Sequence, residues 1–340
     1  MKIIPSLCCT GILILGILLC SCERRPITEY AGCWVRVRIN WDTARIEPNG
    51  ASVYFFPKKG GNPYILWTNH TSDSLYLPVG NYSVLVFNER VNEHTDIAFR
   101  GTHSYETFEV YALPDYSIPD FLQYQAQVNH DMSKATKLAS TANPDVLAVA
   151  RMNMFCLTHD MTLKGVGPLL EFTPLRVTAE LLVTVRIRGL QYAAVPSGCG
   201  GSICGMSEGM MLATGQPNLA PTTQYLTFRR ADFDPDSRTE GVMQAVFNTF
   251  GPLLEQDVNL LWMQFLLRDG SIYTPDMERD VTGHFEMTDL PDRKWLDLSV
   301  GRKRWDNDDP ITLPYAKPED GIFDVGVNGW EEGEVVDTKL

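Results

Sequence analysis

The sequence is short of positive charge. It contains 29 lysine and arginine residues against 42 aspartate and glutamate residues, which gives a formal net charge of −13. A protein this acidic repels the phosphate backbone of nucleic acids and the headgroups of anionic lipids. We therefore expect no nucleic-acid partner.

Sequence motifs for catalysis are also missing. Neither Gly-x-Ser-x-Gly nor His-Glu-x-x-His occurs, so the chain lacks the nucleophile turn of a hydrolase and the zinc-binding helix of a metalloprotease. The glycine-rich segment 198–209 is not followed by the Lys-Ser/Thr pair of a phosphate-binding loop. These absences predict a protein that is not an enzyme and uses no cofactor.

The remaining polar clusters have simple interpretations. The pairs His94/Asp96 and His159/Asp160 have no evident partner nucleophile, so we interpret them as polar surface. The acidic segments 232–236 and 306–309 lack the glycine and the distal glutamate of an EF-hand loop. We therefore predict solvated acidic loops and no metal site.

Only one apolar run of note is present, at residues 12–19 behind the single charge of Lys2. It is too short to span a bilayer, which takes about 20 apolar residues. A basic start followed by a short apolar run and small residues is typical of a secretory signal peptide. Removing the signal peptide removes the positive charge of Lys2, so the net charge of the remaining chain is −13 minus one, or −14.

The end of that run reads Leu19-Cys20-Ser21-Cys22 and resembles a bacterial lipobox. The resemblance implies that Cys22 becomes the mature N-terminus and carries acyl chains such as palmitate. Two alternatives stay open: ordinary cleavage that leaves Cys22 as a thiol, and lipidation of Cys20, which places a leucine larger than the pattern allows directly before it. In the lipoproteins that carry this pattern, aspartate after the lipidated cysteine retains the protein in the inner membrane. The resemblance therefore implies that this chain, with Glu23 at that position, goes to the outer membrane or cell surface. We expect a lipoprotein signal peptide at residues 1–21 and a tether at 22–33.

The eight cysteines divide by position. Four lie at or before the predicted lipid site, and four remain in the body: Cys33, Cys156, Cys199 and Cys204. Four cysteines allow three pairings in an exported protein. The spacing of Cys199 and Cys204 favours a small loop disulfide, with free thiols and a metal site as the alternatives, and the full pairing stays open.

Alternating apolar and polar residues dominate the body of the chain. Residues 35–41 alternate strictly, and similar patterns at 52–56 and 64–67 predict half-buried strands. Residues 75–87 predict two strands that meet at the turn Pro78-Val79-Gly80. Residues 258–267 are apolar at almost every position and predict a central strand. The fold class is therefore all-β.

Looser patterns predict the remaining elements. Residues 143–147 could begin a helical turn, and residues 152–163 indicate a strand. Six of the seven tryptophans lie in apolar surroundings and are expected in the core, while Trp305 lies among charged residues. An exposed tryptophan can stack on a sugar ring.

A short internal repeat indicates two domains. The sequence Val-Arg-Val-Arg-Ile at 35–39 returns as Val-Thr-Val-Arg-Ile at 183–187, after a boundary near residue 172. We therefore expect one β-sandwich at residues 34–172 and a second at 173–340.

Several motifs resemble known families. Leu77-Pro78-Val79-Gly80-Asn81-Tyr82, followed by alternating valine and phenylalanine, resembles the transthyretin-like β-sandwich modules of bacterial surface proteins. The junction Pro174-Leu175-Arg176 and the closing segment 323–330, together with the lipobox, resemble the fimbrillin-type pilins and pilus-anchor lipoproteins of Gram-negative anaerobes.

The resemblance implies two tandem transthyretin-like β-sandwich domains and a role as fimbrial anchor or accessory subunit. The expected partners are the membrane, through Cys22, and a pilin or other fimbrial subunit joined by β-strand addition. We expect the joint at one of two edges, residues 35–41 or residues 334–339. The alternative is a surface lipoprotein that binds glycans.

Overall fold

The computed structural model describes residues 32–115, 140–163, 167–195, 198–253, 259–275, 279–290, 293–301 and 309–317. Within these residues the chain forms 23 β-strands, one short helix α1 at His159–Leu163 and one 3₁₀ turn at Leu190–Tyr192. The predicted all-β fold is confirmed. The predicted signal peptide, Cys22 and the predicted C-terminal strands lie outside the described residues.

The first half of the chain forms two facing sheets. One has the order β10-β1-β4 and the other the order β11-β9-β5-β2-β3. The strands are β1 Gly32–Ile39, β2 Ala51–Pro57, β3 Tyr64–Thr68, β4 Ser72–Pro78, β5 Gly80–Asn88, β9 Ala148–Leu157, β10 Leu169–Phe172 and β11 Leu175–Arg176. Because Val35, Val37 and Ile39 are buried between the sheets, the alternation predicted for β1 is confirmed. The strand begins at Gly32, so the last two residues of the predicted tether belong to β1.

Strand β2 is buried on both of its faces. Val53 and Phe55 face the core between the two sheets, and Tyr54 and Phe56 face a second apolar cluster on the other side. That second cluster lies under a small third sheet of order β14-β7-β6. Its strands are β6 Ile97–Arg100, β7 Glu109–Ala112 and β14 Gly209–Met211.

The second half also forms two sheets around one core. The first has the order β16-β17-β12-β22-β21, with β23 paired to β12, and the second the order β19-β18-β13-β15-β8, with β20 paired to β18. The strands are β8 Ser140–Thr141, β12 Ala179–Arg188, β13 Cys199–Ser207, β15 Pro221–Thr227, β16 Arg230–Asp234, β17 Ser237–Thr249, β18 Leu260–Leu266, β19 Ile272–Tyr273, β20 Arg279–Asp280, β21 Phe285–Leu290, β22 Arg293–Val300 and β23 Ile311–Thr312.

The strand predicted at 258–267 is confirmed as β18, which pairs with β13 on one side and with β19 and β20 on the other. Two predictions of local structure are wrong. Residues 143–147 form no helical turn, and the strand predicted at 152–163 gives way to α1 after Leu157.

Contacts join the two halves. Met210, Leu212 and Phe250 of the second half pack into the cluster beneath β2, and β14 pairs with β7 across the expected boundary. The division at residue 172 stays a prediction. Within the described residues, no helix has the length and apolar character to cross a membrane.

Candidate functional site

The unpaired edges of the sheets are the first candidate sites, because an edge strand offers free backbone N–H and C=O groups to another chain. Strand β1 is not an edge. It pairs with β4 on one side and with β10 on the other. The prediction that residues 35–41 form the joint is therefore wrong, and residues 334–339 lie outside the described residues.

Most of the edge strands that the structure describes are short or charged, which discourages pairing with other chains. β8, β11, β19, β20 and β23 have two residues each, and β14 has three. The longer edges β4, β6, β10, β16 and β21 each contain at least one charged residue. Strand β3 differs, since its sequence Tyr-Ile-Leu-Trp-Thr is uncharged over five residues.

Strand β3 pairs with β2 and ends its sheet. Ile65 is 39% exposed and Trp67 is 53% exposed, and both lie on the outer face of the sheet, opposite Tyr54 and Ser52 of β2. Tyr64 points to the inner face, where its ring centroid lies 6.1 Å from that of Tyr82. The edge therefore presents apolar side chains on both faces.

A second exposed aromatic group lies on the outer face of the sheet that contains β1. Trp34 is 61% exposed and stands opposite Tyr76 of β4, with the two rings edge to face at 5.8 Å. Arg36 and Arg38 follow Trp34 on the same exposed face. The prediction that Trp34 and Trp67 lie in the core is wrong for both, because each follows the outward-facing pattern of its strand.

His94 is buried, which corrects its interpretation as polar surface. Its imidazole is 2% exposed, packs against Phe99, and has its Nδ1 atom 3.8 Å from Oδ2 of Asp145. Burial lowers the pKa of His94, and the charge of Asp145 opposes that shift. The histidine lines a cavity of about 470 Å³ whose lining includes no serine, threonine or cysteine. The cavity therefore holds no nucleophile for His94 to activate.

The other predicted polar pair, His159 and Asp160, lies exposed on α1. Among the residues that the structure describes, no group of three or more His, Cys, Asp and Glu side chains could hold a metal ion. The predicted acidic loop at 232–236 lies partly in strand β16, where Asp232 pairs with Arg230 and Asp234 with Arg186.

Cys199 and Cys204 are buried thiols that form no disulfide, and Cys33 and Cys156 form none either. Both belong to the extended strand β13, and not to a loop. Five residues of strand separate Cα atoms by roughly 15 Å, whereas a disulfide spans about 4.4–6.8 Å. The structure thus contradicts the predicted loop disulfide, because the glycines between the two cysteines form a strand in place of a turn.

In a comparison with models of known protein families, one family matches the chain. The family described as a domain of unknown function, DUF5119, matches residues 21–227. No curated protein sequence matches the chain.

Several solved structures are similar to this chain. A candidate adhesin from Bacteroides ovatus ATCC 8483 is 21% identical, with a TM-score of 0.58 over 88% of this chain and 98% of its own. The fimbrial anchor protein Mfa2 from Porphyromonas gingivalis is 13% identical, with a TM-score of 0.46 over 82% and 94% of the two chains. A candidate polysaccharide-binding protein from Bacteroides thetaiotaomicron VPI-5482 is 9% identical, with a TM-score of 0.46 over 78% and 90%. Of these three structures, the protein from Bacteroides ovatus shares the fold of this chain.

Proposed function

The chain belongs to the DUF5119 family, and from that premise and its fold we propose that it is a non-enzymatic, lipid-anchored protein of the cell surface that serves as a fimbrial anchor or accessory subunit. The observation that carries the proposal is the fold itself. Sandwiches follow one another along the chain, and the same architecture extends over nearly the whole of a candidate adhesin.

The anchor in this proposal is Cys22. Each buried methylene of an acyl chain contributes about 0.8 kcal/mol, so two or more chains hold a protein on a membrane almost permanently. The apolar run before Cys22 and the lipobox pattern support export and lipidation. The body of the protein would then stand on the outer membrane at the cell surface.

The joint in this proposal is β-strand addition. A strand from a partner subunit satisfies the free N–H and C=O groups of a sheet edge, and its alternate side chains fill neighbouring pockets. Strand β3 supports this mode, because it is an uncharged edge with exposed apolar side chains. Such a joint needs neither a catalytic residue nor a cofactor.

Purification from membranes tests the proposal. The tagged full-length protein is expressed in its own cells, solubilised from the outer membrane with detergent and analysed by mass spectrometry. We expect a fimbrial subunit to copurify in a stable ratio. Recovery of the protein alone from cells that carry filaments would contradict the anchor or accessory role.

Glycan binding is the second candidate function, favoured by the exposed pair of Trp34 and Tyr76. Aromatic rings exposed side by side can stack on sugar rings, and Arg36 and Arg38 beside them can donate hydrogen bonds to hydroxyl groups. A glycan array tests this candidate. A saturable hit that Trp34→Ala removes would support it, provided that Tyr315→Ala, at a tyrosine 73% exposed elsewhere, retains the hit. No hit would dismiss it.

A further inference from the structure

The exposed aromatic pair of Trp34 and Tyr76 lies at the end of the first sandwich where the tether enters the fold. Strand β1 begins at Gly32, which stands opposite Pro78 of β4. Trp34 follows two residues later and stands opposite Tyr76. Because side chains alternate between the two faces of a strand, this row lies on the same outer face as Gly32. The pair is therefore next to the residue at which the tether joins β1.

Helix α1 adds an apolar side chain at the same end. Strand β9 ends at Leu157, which pairs with Gly80 at the start of β5, and α1 begins two residues later and packs against β1. Leu163 of α1 is 72% exposed, and Pro78 at the end of β4 is exposed as well. The end of the sandwich that the tether enters thus carries four exposed apolar side chains, which are Trp34, Tyr76, Pro78 and Leu163.

The length of the tether limits how far this end can be from the lipid. Ten peptide units join Cys22 to Gly32, and a chain extends by at most about 3.6 Å per residue. With acyl chains on Cys22, Gly32 is held within about 36 Å of the lipid surface. The other end of β1, at Ile39, lies roughly 23 Å farther along the strand. The anchor therefore holds the Gly32 end of the sandwich nearest to the membrane.

From this placement we propose that the end formed by Trp34, Tyr76 and Leu163 docks on the lipid surface at the level of the headgroups. The proposal rests on the lipid anchor of the proposed function and adds an orientation to it. Indole and phenol rings combine an apolar body with a polar group, and for that reason they concentrate at membrane–water interfaces. The acyl chains hold the protein on the membrane, and the aromatic pair fixes which end of the body faces it.

Charge has little part in this contact. Next to the aromatic pair on the outer face, Arg36 stands opposite Leu169 of β10, and Arg38 forms an ion pair of 2.9 Å with Glu171. Asp160 is exposed on α1 at the same end. Because cations and acids are mixed here, we expect the contact to need no anionic lipid and to persist at high salt.

Fluorescence quenching by brominated lipids tests the contact. The lipidated protein is purified from membranes and reconstituted on phosphatidylcholine vesicles whose acyl chains carry bromine near the headgroups, which quenches tryptophans that reach the bilayer. We expect part of the tryptophan fluorescence to be quenched in the wild type, at low and at high salt, and this quenching to be lost in Trp34→Leu. Equal quenching in the two proteins, or none in either, would overturn the proposal. Quenching that appears only with anionic lipid would also overturn it.

Trp67 provides the matched control. It is 53% exposed, against 61% for Trp34, and lies on β3 of the other sheet. The chain passes from β3 into β4 at Ser72, which stands opposite Arg38 near the far end of β1. Trp67→Leu should therefore keep the quenching of the wild type, and circular dichroism checks that both variants are folded. Equal loss of quenching in the two variants would contradict docking by the Gly32 end.

The lipid anchor and the docking surface can fail separately. If Cys22 is acylated and Trp34→Leu changes nothing, the anchor stands and the docking surface is wrong. If mass spectrometry finds no acyl chain on Cys22, the anchor is wrong, and the chain from residue 22 is then held by an N-terminal histidine tag on brominated vesicles that contain a nickel-chelating lipid. We expect the same quenching by way of Trp34 there, and its absence would overturn the docking surface.

A sugar is the rival occupant of the aromatic pair. Rings that lie in the headgroup layer cannot stack on a soluble glycan, so we expect the protein on vesicles to give no glycan hit that depends on Trp34. A saturable hit that Trp34→Leu removes from the vesicle-bound protein would assign the pair to sugar binding and overturn the lipid contact.

Discussion

At the scale of single residues, burial separates the four cysteines of the body. Cys156 is exposed and Cys199 is buried. Burial raises the pKa of Cys199 to about 11, against a smaller lowering by a hydrogen bond with the backbone of Leu266. The thiolate is the reactive form of cysteine, so both access and pKa protect Cys199.

Thiol labelling measures this difference. In the native protein at pH 8 we expect iodoacetamide to label Cys156 at least about a hundredfold faster than Cys199 or Cys204, because the last two are closed off from the reagent. Mass spectrometry of timed samples gives the rates. If Cys199 and Cys204 reacted only after a reductant was added, the two residues would form a disulfide, contrary to the structure.

His94 makes stability depend on pH. Its pKa in the folded state is lowered by burial relative to the unfolded chain, so below about pH 6.5 the unfolded chain binds a proton that the folded chain resists. The stabilisation is present above pH 6.5 and is lost as the pH falls. We expect the free energy of unfolding to drop from pH 7 to pH 5 by less in His94→Gln than in the wild type, measured by urea denaturation.

The control for His94 is His159→Gln, at an exposed side chain on α1. It should leave the pH profile of the wild type unchanged. An equal pH dependence in the wild type and His94→Gln would show that the buried imidazole does not cause the effect.

At the scale of elements, sequence patterns predicted where strands occur better than they predicted which strands pair with each other. The alternation at residues 35–41 correctly predicts β1, because every second side chain enters the core. Its central place in the sheet was not predictable, since its parallel partner β10 lies some 130 residues along the chain. Strand pairing over such distances is decided by packing of the whole sheet and leaves little trace in a local pattern.

For strand β13 the amino-acid composition gave a wrong prediction of local structure. Its glycines predicted a loop, yet Gly201 lies where a Cβ atom would fall 2.0 Å from the carbonyl oxygen of Trp262 on β18. The glycine is needed for two strands to approach, which is one of the uses of glycine within sheets. The uncharged, apolar sequence of β3 at 64–68 is visible in the sequence, whereas its place at the edge of a sheet is not.

Gly201→Ala tests this role of glycine. The added methyl group would meet the backbone of β18, so the two strands must separate, at a cost of about 1–3 kcal/mol. Gly80→Ala on β5 is the control, since its Cβ would meet no atom closer than 3.5 Å. Urea denaturation compares the two. A Gly201→Ala protein as stable as Gly80→Ala would show that β13 and β18 do not approach as closely as described.

At the scale of the whole molecule, the third apolar cluster joins the two halves. Leu212 of the second half is fully buried there beside residues of β2, and its carbonyl oxygen accepts a hydrogen bond from Nε of Arg151 on β9. The sequence alone did not predict this cluster, because a strand buried on both faces looks like any other apolar strand. We expect the shared cluster to couple the stability of the two halves.

Hydrogen exchange tests the coupling. Leu212→Ala should cost about 2–5 kcal/mol and lower protection in β2 as well as in β14. Leu226→Ala is the control, because that leucine is equally buried but belongs to the core of the second half alone. It should leave β2 protected. Unchanged protection of β2 in Leu212→Ala would mean that the halves behave independently.

The anchoring role is tested most directly by where the filaments are found. Cells that lack the gene are complemented with the wild type, with Cys22→Ala or with Cys20→Ala as the control, and filaments are counted on cells and in the medium. We expect that Cys22→Ala, once its signal peptide is cleaved, leaves the membrane fraction and that the cells shed filaments, while Cys20→Ala behaves as the wild type. Filaments that stay equally cell-bound with cleaved Cys22→Ala would contradict it.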